Sequence, residues 1–306
     1  MGVPARFEAS SPRAMAAVER AYGTWRALAA RPDLVGTGRV RIRLVVQSGE
    51  EGGESYPTIR ARMPDNNRLL LHTTGSMALA DAGRLEAHAF VTEALLASED
   101  HFRHGVLDAV TLLLVTRLDR QPVHAAGIAR DGVGLLLAGP SGVGKSSLAY
   151  AAMQSGYDLL SDDTVYAQLA PTLRVWGLGR PVTLPGASRQ FFSEVDGFPV
   201  TRRGDQTKSL VPIRVEALPT MPLVGRVGIC LLVRSPRPTL ERLTSATVVE
   251  ELKAGLEPGF DRFRDTIALA CEQLSRGGSW RLGLAGSPRG SLPYLDRMVN
   301  ELAANS

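Results

Sequence analysis

Lysine is nearly absent from this sequence. Only Lys145, Lys208 and Lys253 occur, so the rest of its 35 basic residues are arginine. Because a lysine is rare in this chain, its position carries information that an arginine's position does not. Acidic residues number 31, and a net charge of +4 over 306 residues is too small and too dispersed for a nucleic-acid or membrane-surface footprint. We therefore expect neither nucleic acid nor a membrane among the partners.

Cysteine and long apolar runs are also scarce. Cys230 and Cys271 match no metal-binding or redox spacing, so we predict two buried thiols in a reducing compartment. No apolar run follows Met1–Arg6, which argues against a secretory signal. The longest apolar stretch, Val106–Val115, contains a charge and is too short to span a bilayer. The sequence therefore predicts a soluble, cytoplasmic protein.

Aromatic residues make up only 6% of the chain, but hydrophobic residues reach 44%. That content supports a sizeable core and excludes global disorder. In residues 1–118 the clearest element is Arg39–Val46, where arginine alternates with aliphatic residues as in a half-buried strand. The other elements predicted there are a helix over Arg13–Ala30, strands over Ile59–Met63, Arg68–Thr74 and Arg84–Val91, and a helical stretch over Thr92–Thr116 with a break near Ser98. Together they form a small mixed α/β region.

Residues 119–306 begin with a β-hairpin. The apolar runs Val123–Ala129 and Gly134–Ala138 flank Asp131-Gly132, a strong hairpin turn signal. The elements predicted after it are a helix over Ser146–Ser155, a strand over Tyr157–Ser161, long loops over Pro181–Lys208, a strand over Val227–Val233, helices over Ala246–Gly255 and Phe260–Arg276, a strand over Ser279–Leu284, and a helix over Leu292–Ala304.

The most specific motif, Gly139–Ser146, satisfies the P-loop (Walker A) pattern between a predicted strand and a predicted helix. Its glycines let successive N–H groups converge on phosphate oxygens, and the helix N-terminus adds its dipole. Lys145 is predicted to reach the β- and γ-phosphates and Ser146 to ligate Mg²⁺. The predicted nucleotide-binding residues are Gly139, Ser141, Gly142, Val143, Gly144, Lys145, Ser146 and Ser147.

A carboxylate pair, Asp162-Asp163, follows the next predicted strand. Alone, such a pair is typical of a turn or helix cap. Beside a P-loop, one carboxylate can face Mg²⁺ and the other an acceptor hydroxyl. His124, on the strand before the hairpin turn, would ordinarily be structural, but next to a carboxylate it can set that group's protonation. A guanine-specific Asn-Lys-x-Asp motif and the His-Arg-Asp and Asp-Phe-Gly kinase motifs are absent.

In this order, the three motifs resemble the HPr kinase/phosphorylase-like family, over residues 123–132, 139–147 and 156–163. The resemblance implies an α/β P-loop domain over 119–306, of the HPr kinase and phosphoenolpyruvate carboxykinase type, that uses ATP and Mg²⁺. It further implies that Asp163 is the proton acceptor, His124 the active-site histidine and Lys145 the phosphate lysine. Ser146 and Asp162 then face the metal.

Two departures from this family stand out. The downstream Glu-[Leu/Ile]-Arg-Gly metal-binding segment is missing, with Glu194 only a weak substitute, and the N-terminal region differs. The chain thus looks more like the stand-alone kinases of biosynthetic clusters, some of which phosphorylate serine in a lasso-peptide precursor and others free serine. We therefore predict a kinase for a hydroxyl, serine above all, of a peptide or small molecule. A non-catalytic nucleotide-binding regulator and a bifunctional kinase/phosphorylase remain alternatives, and a homo-oligomer stays open.

The charged segment Arg202–Lys208 has two possible interpretations. It is either a solvated, mobile loop or a loop in which Lys208, Arg202 or Arg203 holds a phosphate or an acidic acceptor. The tryptophans, Trp25, Trp176 and Trp280, are predicted to make core or subunit contacts.

Overall fold

The chain divides into one unit of residues 2–120 and another of Met1 with residues 121–306. The structure is a computed structural model that describes residues 1–48, 58–178, 180–203, 206–211, 223–224, 226–256 and 264–304. Within those ranges no helix combines the length and apolar character needed to cross a membrane.

The N-terminal unit is built on one six-stranded sheet with the order β1-β2-β6-β5-β4-β3. The pairings of β2 with β1 and with β6 are parallel, and the other three are antiparallel. The strands are β1 Ala5–Ala9, β2 Val40–Gln47, β3 Arg60–Asp65, β4 Arg68–Thr73, β5 Ser76–Asp81 and β6 Glu86–Thr92. In β2 the arginines are exposed and the aliphatic residues opposite them buried, which confirms the predicted alternation.

Helices cover one face of this sheet. They are α1 Pro12–Tyr22, α2 Glu93–Ala97, α3 Glu99–Phe102 and α4 Asp108–Thr116, with a π-helical turn at Arg103–Leu107. The predicted break at Ser98 is confirmed, since this residue separates α2 from α3. The predicted helix Arg13–Ala30 is too long, because α1 ends at Tyr22 and the chain continues as a 3₁₀-helix over Gly23–Ala30.

Strand β5 was not predicted, and its side chains explain why. Ser76, Ala78 and Ala80 point into the core, whereas the larger Met77 and Leu79 are 50% and 43% exposed. Large apolar residues usually mark the buried face of a strand. Here the buried face carries the small residues.

The C-terminal unit contains a six-stranded sheet, β10-β8-β9-β17-β19-β18, and two smaller sheets, β16-β12-β11-β7 and β13-β15-β14. In the large sheet β9, β17 and β19 are parallel neighbours. The strands are β7 Gln121–Val123, β8 Ala125–Arg130, β9 Val133–Ala138, β10 Asp158–Ser161, β11 Val165–Gln168, β12 Arg174–Trp176, β13 Val182–Pro185, β14 Val200–Arg203, β15 Gln206–Val211, β16 Leu223–Val224, β17 Val227–Arg234, β18 Thr239–Arg242 and β19 Ser279–Leu284.

Both faces of the large sheet are buried. Alternate residues of β9, such as Leu135 and Leu136, belong to separate hydrophobic cores, which include residues of α5 and α8 on one side and of α6 and α7 on the other. The helices are α5 Lys145–Gln154, α6 Ser245–Ala254, α7 Arg264–Ser275 and α8 Leu292–Ala304. The α/β class is thus confirmed, with a hairpin before the P-loop.

Several predicted side chains are core residues. Trp176 and Trp280 are almost completely buried. Cys230 and Cys271 are buried and free, as predicted. Burial raises the pKa of the Cys271 thiol to about 12, so this side chain stays a neutral apolar group at physiological pH.

Two predictions on the secondary structure of the C-terminal unit are wrong. The span Pro181–Lys208 is not a set of loops, because it contains β13, β14 and the first half of β15, and Arg202–Lys208 therefore lies largely in paired strands; residues 204–205 lie outside the described residues. The predicted strand Val123–Ala129 divides at His124, where the chain leaves one sheet and enters another. Short strands that pair with distant segments carry little hydrophobic alternation of their own, so they are hard to predict from the local sequence. For the predicted helix Phe260–Arg276, the described part runs over Arg264–Ser275.

Candidate active site

The phosphate loop, Gly139–Ser147, connects the end of β9 to the start of α5. Gly139, Gly142 and Gly144 have φ angles of 147°, 76° and 123°, which side-chain-bearing residues rarely adopt. A Cβ on Gly139 would also lie 2.7 Å from the Leu232 carbonyl oxygen of the neighbouring strand. The loop therefore requires glycine for both its backbone conformation and its close approach to β17.

Lys145 is the first residue of α5 and is buried. Its Nζ donates to the carbonyl oxygens of Gly139 at 2.7 Å and Pro140 at 3.1 Å, so the ammonium group lies against the beginning of the loop. The Ser146 hydroxyl donates to the carbonyl oxygen of Asp162 at 3.3 Å. The loop thus contacts the backbone of Asp162, the first residue of the Asp162-Asp163 pair predicted from the sequence.

His124 and residues 162–164 form what we call the crossover, where two stretches of chain pass between sheets side by side. Val123 of β7 pairs with Val165 of β11 in one sheet. Gly127 of β8 pairs with Ser161 of β10 in the other. Because both stretches change sheets between these two pairings, His124 and the carboxylate pair lie opposite each other.

Gly127 makes this close passage possible. A Cβ at this position would lie 2.7 Å from the Val165 Cγ1 and 3.1 Å from the Leu160 Cβ. The first distance is shorter than real Cβ contacts allow. A side chain at Gly127 would therefore push β8 away from the chain that carries the two aspartates.

Asp163 lies on the open side of the crossover, and its side chain is 54% exposed. Its Oδ1 is 3.7 Å from the Nδ1 of His124, whose side chain is only 17% exposed. Thr164 donates its hydroxyl to Asp163 Oδ2 at 3.4 Å. A carboxylate in this position is accessible to an incoming hydroxyl and close to a group that can interact with its charge.

Asp162 has the opposite environment. The residue is 6% exposed, and its Oδ2 accepts hydrogen bonds of 2.8 Å from both the backbone N–H and the hydroxyl of Thr183. Thr183, the second residue of β13, thus fixes the orientation of this carboxylate. Sequence analysis did not find Thr183, because nothing in its local sequence marks a contact with Asp162.

The residues present fit a magnesium ion bound together with phosphates. Mg²⁺ is commonly held by one or two protein groups, with phosphate oxygens and water completing its octahedron. Ser146, in the first turn of α5, contacts the backbone carbonyl of Asp162, the residue after β10, so a hydroxyl and a carboxylate are offered by two residues that meet through this contact. No cluster of three or more histidine, cysteine, aspartate or glutamate side chains that could hold a metal occurs among the described residues. The donor set is therefore suited to an ion that arrives with the nucleotide.

Two predicted residues lie away from this constellation. The Ser147 hydroxyl is buried and lies 2.9 Å from the Ser188 hydroxyl, so only its backbone remains for a nucleotide. Glu194 accepts hydrogen bonds from Tyr150 and Gln154 in the second half of α5, and no contact joins it to Ser146 or Asp162 among the hydrogen bonds of the described residues. Its own backbone N–H, followed by Gln154 and Tyr150, lowers the pKa of this carboxyl.

Lys208 lies on the small sheet that holds Asp162. Thr183 pairs with Leu210, and Pro185 pairs with Lys208. Residues directly opposite each other share a face, as do residues two apart along a strand, so Thr183 and Lys208 lie on the same face as diagonal neighbours, about 7–8 Å apart. The structure places Arg202 and Arg203 in β14, which pairs with β15, and their side chains lie outside the described residues.

Arg234 is a further residue at the loop that sequence analysis missed. It ends β17, and its Nη2 donates to the Gly142 carbonyl oxygen at 3.3 Å. The available signal was its position directly after a predicted strand. Because arginine is common in this chain, that position alone does not distinguish Arg234 from the other arginines.

Comparison with known proteins finds sequence similarity over a short part of the chain. No family model matches the chain. HPr kinase/phosphorylase from Lactobacillus delbrueckii subsp. bulgaricus is 41% identical over 61 residues, which is 20% of this chain and 19% of that protein. The chain thus matches about a fifth of the length of this curated relative.

A solved structure of the Hpr(Ser) kinase/phosphatase from Coxiella burnetii also aligns with the chain. The alignment covers 61% of this chain and 99% of that one, at 15% identity and a TM-score of 0.28. The strand, loop and helix of a P-loop are present in this chain itself, between β9 and α5. Over a fifth of its length, the chain is similar in sequence to an HPr kinase/phosphorylase.

Proposed function

We propose that this chain is an ATP- and Mg²⁺-dependent kinase that phosphorylates a hydroxyl group, with serine in a peptide or small molecule as the acceptor. A lasso-peptide precursor is the specific acceptor that the sequence resemblance favours. The observation that carries the proposal is the crossover, which brings an exposed carboxylate and a histidine beside a P-loop. The likeness to a protein named HPr kinase/phosphorylase supports the same class of reaction.

The loop residues bind and orient the triphosphate. The N–H groups at the start of α5 and the Lys145 ammonium group offer positive charge to the phosphate oxygens. Lys145 hydrogen-bonds to the loop carbonyls of Gly139 and Pro140, a position from which its ammonium group would meet a phosphate held by the loop. Mg²⁺, held through Ser146 and Asp162, would neutralise charge on the phosphates.

Asp163 accepts the proton of the acceptor hydroxyl as the oxygen attacks the γ-phosphorus. Its side chain is the exposed member of the pair, so an acceptor can approach it from solvent. His124, whose Nδ1 is 3.7 Å from Asp163 Oδ1, would orient this carboxylate. The bond between the γ-phosphorus and the bridging oxygen breaks, and ADP leaves with that oxygen.

Lys208 would contribute on the acceptor side. It shares a sheet face with Thr183, which holds Asp162, and it is partly buried. A lysine there can bind a phosphate oxygen or a carboxylate of the acceptor. Replacing Lys208 by alanine should change the KM for the acceptor, or kcat, with little effect on ATP binding.

The decisive experiment measures ADP release from Mg·ATP with and without candidate acceptors, namely free serine and serine-containing peptides, and detects the product by mass spectrometry. Acceptor-dependent ADP release with a mass gain of one phosphate on the acceptor supports the kinase. Nucleotide binding without such turnover, across acceptors, supports the non-catalytic regulator. Transfer of the phosphoryl group from a phosphoserine product to inorganic phosphate, seen as formation of pyrophosphate and loss of one phosphate from the acceptor, supports the bifunctional kinase/phosphorylase.

A further inference from the structure

Arg234 lies at the end of β17, the strand that pairs with β9, and is therefore beside the phosphate loop. Strand β17 is parallel to β9, and Leu231 is in register with Ala138, the last residue before the loop. The next residues of the two strands continue toward the same edge of the sheet, where Arg234 meets the loop through the Gly142 carbonyl. The loop therefore has a cation at two points, Lys145 near its beginning and Arg234 near its tip.

The neutral carbonyl oxygen of Gly142 binds a guanidinium less strongly than a carboxylate or a phosphate does. Arg234 is exposed, and no carboxylate within the described ranges lies within 4.0 Å of it. Other arginines of the unit have carboxylate partners, such as Arg130 with Asp296 and Arg281 with Glu241. Arginine binds phosphate through two parallel charge-assisted hydrogen bonds, which are about twice as strong as neutral ones.

Arg234 also has open space beside it. A small cleft of about 30 Å³ is lined by Gly144, Arg234, Leu284 and Ser287. Such a cleft has room for solvent or for a phosphate oxygen beside the loop. Arg234 thus lines open space next to the loop that it contacts through Gly142.

We propose that Arg234 is a second phosphate-binding cation, which exchanges the Gly142 carbonyl for oxygens of the β- and γ-phosphates of a nucleoside triphosphate. The guanidinium would then neutralise charge on the side of the loop opposite Lys145 during transfer. The inference rests on the proposed function, because it takes the loop to hold a polyphosphate. It extends the site by a residue that the P-loop motif does not contain.

Calorimetric binding to the full chain tests this role with three variants. Arg234→Gln removes the charge, Arg234→Lys keeps the charge without the bidentate fork, and Arg237→Gln is a matched control in the following turn. The probes are Mg·ATP, Mg·ADP, AMP and inorganic tripolyphosphate. Because Arg234 is exposed, its variants should melt at the wild-type temperature without ligand, which verifies their folding.

For Arg234→Gln we expect affinity for Mg·ATP, Mg·ADP and tripolyphosphate to fall by about 10- to 100-fold, and affinity for AMP to stay within about twofold. Arg234→Lys should be intermediate and Arg237→Gln unchanged. Equal losses for AMP and ATP, or a wild-type affinity of Arg234→Gln for ATP, would overturn the assignment. Arg234-dependent binding of tripolyphosphate alone, without ATP binding to wild type, would retain the phosphate site and reject the proposed kinase.

Discussion

The phosphate loop and the crossover are built in different ways, although they meet in one candidate site. The loop is a single run of nine residues whose shape follows from its own glycines. The crossover takes His124 from between β7 and β8, and its aspartates from between β10 and β11. Its geometry depends on strand pairing between distant segments.

This difference separates binding from chemistry. The loop offers N–H groups and a lysine, which stabilise phosphate in the ground state and the transition state alike. The crossover offers an exposed carboxylate, whose proton transfer matters only when the acceptor attacks. Loss of Lys145 from the loop should therefore reduce affinity and turnover together, and loss of the Asp163 carboxylate from the crossover should reduce turnover with affinity intact.

The largest effect is expected from Lys145→Ala. Loss of this ammonium group should weaken Mg·ATP binding by about 10- to 100-fold and lower kcat by about 10²–10³, so kcat/KM falls by about 10³–10⁵. Calorimetry and ADP release measure the two parts. Lys253→Ala, which removes a lysine of α6, is the control. Wild-type ATP affinity in Lys145→Ala would mean that the loop does not bind ATP in the way proposed here.

Asp163→Asn is the matching variant of the crossover. The amide keeps the size of the side chain but cannot accept the proton, so kcat should fall by about 10²–10⁴. ATP affinity should stay the same or rise slightly, because a negative charge near the phosphates is lost. Asp158→Asn, on the exposed start of β10, controls for loss of charge. Near-wild-type turnover in Asp163→Asn, together with lost turnover but intact metal binding in Asp162→Asn, would mean that the roles of the two aspartates are reversed.

The phosphate loop can be predicted from the sequence, whereas the geometry of the crossover cannot. The hairpin, the loop, α5 and β10 lie within one residue or two of their predicted bounds, because glycines and apolar runs specify them locally. The partners of Asp162 and the interruption at His124 depend on pairing between segments far apart in the chain. Thr183 has no local mark of its role, and β5 has its large residues on the exposed face.

Thr183→Val tests how far the crossover depends on the small sheet behind it. Valine preserves shape and the backbone hydrogen bond to Asp162 but removes the hydroxyl. A less well oriented Asp162 should raise the Mg²⁺ concentration needed for half-maximal rate by about tenfold, with kcat at saturating Mg²⁺ changed less. Thr183→Ser should restore the wild-type Mg²⁺ dependence. An unchanged Mg²⁺ dependence in Thr183→Val, with a lowered melting temperature, would make this contact structural only.

The smallest effect on function is expected from Ser147→Ala, which tests whether every residue of the loop motif faces the nucleotide. The Ser147 hydroxyl is buried against Ser188, whereas the neighbouring Ser146 hydroxyl reaches Asp162. Ser147→Ala should therefore leave ATP affinity and Mg²⁺ dependence within about twofold of wild type. Loss of its buried hydrogen bond should lower the free energy of unfolding by about 1 kcal/mol, a melting shift of about 2–4 °C. Ser146→Ala should do the reverse, raising the Mg²⁺ requirement with little change in melting. If Ser147→Ala weakened ATP binding as much as Ser146→Ala, its hydroxyl would have to turn toward the phosphates when nucleotide binds.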